Sequence, residues 1–135
     1  MNTQTSRDRY MQDAVATASP ARLLTMLYDR FVRDLTGAEL AIISGENTEA
    51  NAHLIHAQEI ILELRTTLDV SVWRGGPGLS ELYGFMYTEL VQANVHKDSE
   101  RVAGVRRLVE PLRDAWHEAA LIAAGASQPV VAKAG

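Results

Sequence analysis

From Leu24 onward the chain repeats apolar residues at intervals of three and four. Leu24, Leu27, Tyr28, Phe31, Leu35, Ala38 and Ile42 form one stripe, the spacing of a single buried helix face. Ser19-Pro20 stands just ahead of it. A serine hydroxyl can accept from the free amides of a first turn, and proline, with no amide to satisfy, suits the first helical position. Ser44-Gly45 is a turn signal, so the pattern predicts a helix from about Pro20 to Ile43. A second stripe follows Asn47-Thr48 and carries Leu54, Ala57, Ile61, Leu64 and Leu68, with Glu49 at the positive end of its dipole. A third, after Gly75-Gly76-Pro77-Gly78, carries Leu79, Leu82, Tyr83, Met86, Leu90 and Ala93. The fourth is capped by Asp98 and carries Val102, Val105, Leu108, Val109, Leu112, Trp116 and Ala119. Pro111 lies inside this last stripe, which continues beyond it, so a kinked helix is predicted there.

No segment alternates as a strand would. Four helices of about twenty residues, each roughly 30 Å long and joined by short to medium loops, make antiparallel neighbours. The expected fold is all-α: an antiparallel four-helix bundle over residues 19–124, a mobile helical arm over 1–18 and a disordered tail over 125–135. In the arm, Tyr10 and Ala14, like Met11 and Val15, are four apart. One or two amphipathic turns of that size form only when docked. Ser19, preceding proline, is biased away from helix, which leaves the arm free to pivot. Trp73, in the loop between the second and third stripes, suits a cap on one end of the bundle or an aromatic contact.

Composition narrows the function. At 135 residues, 47% hydrophobic and 22% charged, the chain can bury one core. The absence of cysteine excludes disulfides and thiol chemistry. No segment has the apolar length of a membrane span. Asn2, Thr3, Gln4, Ser6, Arg7 and Asp8 are polar where a signal peptide would be apolar, so a cytoplasmic protein is expected. A net charge of -4 argues against nucleic-acid binding. The only basic cluster, Arg101, Arg106, Arg107 and Arg113, sits among Glu100, Glu110 and Asp114 and reads as a solvated helix face.

Bundles can house metals, but the inward Glu-x-x-His pairs of di-metal bundles are absent. His53 and His56 lie three apart with Glu49 and Glu59 nearby, and no motif supplies third and fourth ligands; His96 and His117 sit on other helices. Neither His53 nor His56 is followed by the lysine that would steady a phosphoryl group. There is no nucleophilic-serine motif, phosphate-cradling loop or paired-carboxylate signature. The expectation is a protein without enzymatic activity, catalytic residues, metal or cofactor. His53 and His56 read as surface histidines, and a metal-binding or phosphotransfer bundle using them is the alternative. Apolar surface remains: Ile55 and Ile60 widen the second stripe, and Phe85 and Tyr87 the third. Such faces can form a groove for an amphipathic partner helix.

The order of these pieces resembles the flagellin chaperone family, FliS. The resemblance rests on Tyr10, Ala18-Ser19-Pro20, Leu23-Leu24 and Leu27-Tyr28-Asp29. It continues through Asn51, Ala57-Gln58-Glu59-Ile60-Ile61, Glu63-Leu64, Leu68-Asp69 and Gly75-Gly76. Leu79, Leu82-Tyr83, Met86, Leu90, Ala93-Asn94, Leu112-Arg113 and Ala115-Trp116 complete it. Arg30, where many members have glycine, and Gly78-Leu79, where an asparagine usually precedes the leucine, depart from the pattern. The resemblance implies a cytoplasmic chaperone that binds the helix-forming C-terminal segment of flagellin, prevents premature polymerisation and delivers it to the flagellar export gate, with other flagellar regulators as further partners. It suggests a groove between the second and third helices, lined by Asn51, Ala57, Ile60, Leu64, Tyr83, Met86, Leu90 and Asn94. The arm, through Tyr10, Met11 and Val15, would cover part of this groove until flagellin displaces it, and Tyr10 would then face the gate.

Overall fold

The computed structural model describes residues 6, 9, 19–68 and 75–127. Four helices follow one another: α1 (Pro20–Ile43), α2 (Asn47–Thr67), α3 (Gly76–His96) and α4 (Ser99–Ser127). No strand occurs among the described residues. The helix ends follow from local chemistry. Ser19 Oγ accepts from the Arg22 amide at 3.2 Å, and Pro20 takes the first turn. At the far end Gly45 adopts φ 75°. This left-handed turn lets the Gly45 and Glu46 amides donate back to the Ile42 and Ala41 carbonyls at 3.1 and 2.8 Å, the double bond pattern that closes a helix on glycine. Lys97, with φ 50°, closes α3 in the same way, and the Asp98 amide donates to Ala93 O at 3.0 Å. Asp98 Oδ1 in turn accepts from the Glu100 and Arg101 amides, as its expected capping role requires.

Two boundaries differ from the sequence expectation. Helix α2 begins at Asn47 rather than after Thr48. Helix α4 runs through Ser127, so the division expected after residue 124 falls within it. Ala119, Ala120, Ala123 and Ala124 in this stretch are strong helix formers and extend it without needing a core. The helix continues through Pro111.

The bundle is a ring in which α1 packs on α2 and α4, and α3 packs on the other sides of those two. Cross-helix pairs give the direction. Arg106 on α4 meets Glu39 on α1, and His117 further along α4 meets Asp29 earlier on α1, so these neighbours are antiparallel. Every helix contributes to one core: Tyr28, Phe31 and Leu35 from α1, Leu54, Ile61 and Leu64 from α2, Tyr83, Met86 and Leu90 from α3, Val102, Val105 and Val109 from α4. The α1–α2 seam includes one especially close approach. A Cβ on Gly37 would stand 2.7 Å from the His53 ring, so glycine is what admits that imidazole.

A buried polar link ties three helices beneath the start of α1. The Tyr28 and Tyr83 hydroxyls are 2.5 Å apart, and Trp116 hydrogen-bonds Tyr28 with its ring 6.3 Å away. Burial raises both phenols above their ordinary value of 10.0, because a phenolate would lose its hydration. Above pH about 10 the unfolded chain releases these protons and the folded one keeps them, so stability falls as pH rises and is unaffected below. Thermal unfolding is therefore expected to be flat in these two groups up to pH about 9.5 and to decline above it. Tyr83→Phe should shallow the decline; an unchanged alkaline slope would contradict the assignment.

Candidate functional site at the α2–α3 seam

Asn51, Ile55, Gln58 and Leu62 follow one another at steps of four, three and four, and so share one face of α2. Tyr87, Val91 and Asn94, at steps of four and three, share a face of α3. The two faces meet at one end, where Asn94 Nδ2 donates to Asn51 Oδ1 at 2.8 Å. Lys97 Nζ donates to Asn94 Oδ1 and to its carbonyl, at 2.5 and 2.8 Å, which fixes the direction of the Asn94 amide. At the other end Arg65 crosses to α3: a Cβ on Gly84 would lie 3.5 Å from its guanidinium. Between these ends the named side chains are uncharged, and exposed Glu59, four residues after Ile55, stands at the outer edge of the strip. Ile55 and Leu62 are each 43% exposed, and Gln58, Tyr87, Val91 and Asn94 are half-buried. From Asn51 to Leu62 the strip is about 16 Å long. It offers apolar side chains and amides to another helix.

The residues expected to line this groove divide sharply. Asn51 and Asn94 are at the seam surface and touch each other. Ala57, Ile60, Leu64, Tyr83, Met86 and Leu90 are core side chains. They hold the two helices together beneath the seam, and the surface belongs to Ile55, Gln58, Leu62, Tyr87 and Val91 instead. Of the positions read as widening the stripes, Ile55 and Tyr87 lie on this side, Ile60 is buried, and Phe85 faces α4. Leu62, seven residues after Ile55, is the signal in the sequence that marks the exposed line. Tyr10, Met11, Val15 and Trp73 lie outside the described residues.

His53 and His56 are partly exposed, as surface histidines are, but each is also engaged. Both turn Nδ1 toward Asp34 on α1, His53 to Oδ1 at 3.2 Å and His56 to Oδ2. Asp34 is 1% exposed and is also met by Arg30 Nε at 3.5 Å. The two imidazoles supply the hydrogen bonds that a buried carboxylate needs. Among the described residues no group of three or more His, Cys, Asp or Glu side chains is placed to hold a metal ion. The arginine cluster of α4 is spent largely on pairs. Arg106 forks onto Glu39 and also reaches Glu110, Arg101 meets Glu89 and Asp98, and Arg113 meets Asp114.

The family model described as flagellar protein FliS matches residues 1–123. The chain is a member of the FliS family. Flagellar secretion chaperones FliS to which it is similar include that of Bacillus subtilis, 37% identical over 82% of this chain and 82% of that protein. That of Escherichia coli is 33% identical over 89% and 90%, and that of Salmonella typhimurium 33% over 80% and 82%. A solved structure titled as a flagellar chaperone from bacteria shares the fold, with TM-score 0.69 at 18% identity over 87% of this chain and 97% of that one. FliS-family proteins are chaperones rather than enzymes. Among the described residues no helix is long and apolar enough to cross a membrane.

Proposed function

We infer that this FliS-family chain is a cytoplasmic chaperone that binds the C-terminal helical segment of flagellin on the α2–α3 seam and carries it to the flagellar export gate. The observation that supports this most is the uncharged strip between the Asn51–Asn94 pair and Arg65. An unassembled helix with an apolar face would otherwise self-associate; laying that face on Ile55 and Leu62 covers it, and the flanking amides set its register. The arm, with Tyr10, Met11 and Val15, occupies part of this surface in the free protein. Its release on binding leaves Tyr10 to engage the gate.

Calorimetric titration with a flagellin C-terminal peptide is expected to show binding with a negative heat-capacity change, the mark of buried apolar surface. Removing residues 1–17 should leave that affinity equal or higher, and Tyr10→Ala should weaken gate binding alone. Absence of heat at both of two well-separated temperatures, at concentrations on the order of tens of micromolar, would remove the function.

A further inference from the structure

The seam between α3 and α4 is the thinnest of the four, and it opens outward as a groove of about 510 Å³. Its apolar walls are Phe85, 53% exposed, and Leu108, 42% exposed, over a floor of buried Val105. On the α4 wall stands Gly104, where an added Cβ would meet nothing within 4 Å, so the space beside it is open. The rim has a different character from the α2–α3 strip. Glu89, Asp98 and Glu100 face one cation, Arg101. Arg101 is already engaged by Glu89 at 3.0 Å and Asp98 at 3.4 Å, which leaves the groove with an excess of two negative charges.

An apolar trough with an acidic rim selects by charge as well as shape. Running from Asp98 to Leu108, it is about 15 Å long, room for roughly ten residues of helix. We propose that the α3–α4 groove is a second docking site, separate from the α2–α3 seam, for a basic amphipathic helix of another protein. Two apolar anchors of that helix seat against Phe85 and Leu108, and its Lys or Arg side chains reach Glu100 and Glu89. The uncharged strip and the acidic groove lie on neighbouring seams with different electrostatic character, so one chaperone can hold two chemically distinct segments at once.

The test uses two labelled synthetic helical peptides with the same pair of leucine anchors, one flanked by lysines and one by glutamates. Fluorescence anisotropy on the full chain should show the lysine peptide binding at least about tenfold tighter, and more weakly as salt is raised. Gly104→Leu, which fills the trough from an open position, should cut that binding about tenfold, and Glu100→Lys about fivefold. Ile55→Asp should leave it unchanged, and a flagellin C-terminal peptide should bind the Gly104→Leu protein as it binds the parent. Circular dichroism confirms that each variant is folded. Equal binding of the two peptides, or indifference to Gly104→Leu, overturns the proposal. So does loss of flagellin-peptide affinity in Gly104→Leu, which would make the groove part of the flagellin track. Sedimentation showing a dimer that Gly104→Leu dissociates would give the groove to a second copy of the chain and overturn it too.

Discussion

Aspartate at both Ile55 and Leu62 is expected to lower affinity for a flagellin C-terminal peptide about a hundredfold or more, with the helical content unchanged. Each side chain is part exposed in the free protein, so its replacement opens no cavity. Covering each with a partner would contribute about 1.5 kcal/mol or more of apolar burial, and the pair therefore about 3 kcal/mol, close to two decades in affinity. A carboxylate under the partner adds a desolvation cost on top. Titration calorimetry of the double variant checks this; affinity within about fivefold of the parent would place the partner elsewhere. The control is Leu64→Ala. Leu64 lies in the core, so this change should cost about 2–5 kcal/mol of stability and weaken binding only insofar as the chain unfolds.

The second large effect concerns the buried carboxylate. His53→Ala with His56→Ala leaves Asp34 in the interior with Arg30 as its remaining partner at 3.5 Å. An uncompensated buried charge costs about 3–5 kcal/mol; relief from Arg30 sets the expectation at about 3 kcal/mol, a fall in Tm of about 10 °C for a chain of this size. Adding Asp34→Leu to the double variant should recover much of the loss, because the charge and the need for its partners disappear together. Differential scanning calorimetry of the double and triple variants separates the outcomes. A double variant as stable as the parent would show that the pair does not hold α2 to α1. Flagellin-peptide affinity at temperatures where both proteins are folded should not change, since the pair lies on the opposite side of α2 from the strip.

The helices are legible in the chain because burial writes a period of three and four into each of them, and Ser19-Pro20, Ser44-Gly45 and Asp98 mark ends by local chemistry alone. The groove is not legible in the same way. Whether Ile60 or Leu62 is exposed depends on where the neighbouring helices sit around α2, and both residues are equally apolar in the sequence. The strongest apolar stripes point to Ala57, Leu64, Tyr83 and Met86, which are the core for that very reason. Asn51 and Asn94, amides that pair across the two helices, are the more faithful indicators of the seam. Asp34 carries no sequence signal of its burial, because its two histidine partners stand 19 and 22 positions away on another helix and Arg30, four positions before it, reads as an ordinary surface pair. The length of α4 is hidden for the opposite reason: its alanine-rich end forms helix from intrinsic preference, without the periodic burial that marks the rest.

The antiparallel pairing of α1 with α4 also decides how the protein yields to force. Ser19 at the start of α1 and Ser127 at the end of α4 lie toward the same end of the ring rather than across its length. Tension applied between them would not shear the two helices lengthwise. It would peel them apart from the Asp29–His117 contact toward the Glu39–Arg106 fork, loading one contact at a time, the weak direction of a bundle. Tension between Ser44 and Ser127 would instead drag α1 along α4 and load all those contacts together. Where a tether is attached therefore sets whether the same fold opens like a zipper or resists like a lap joint.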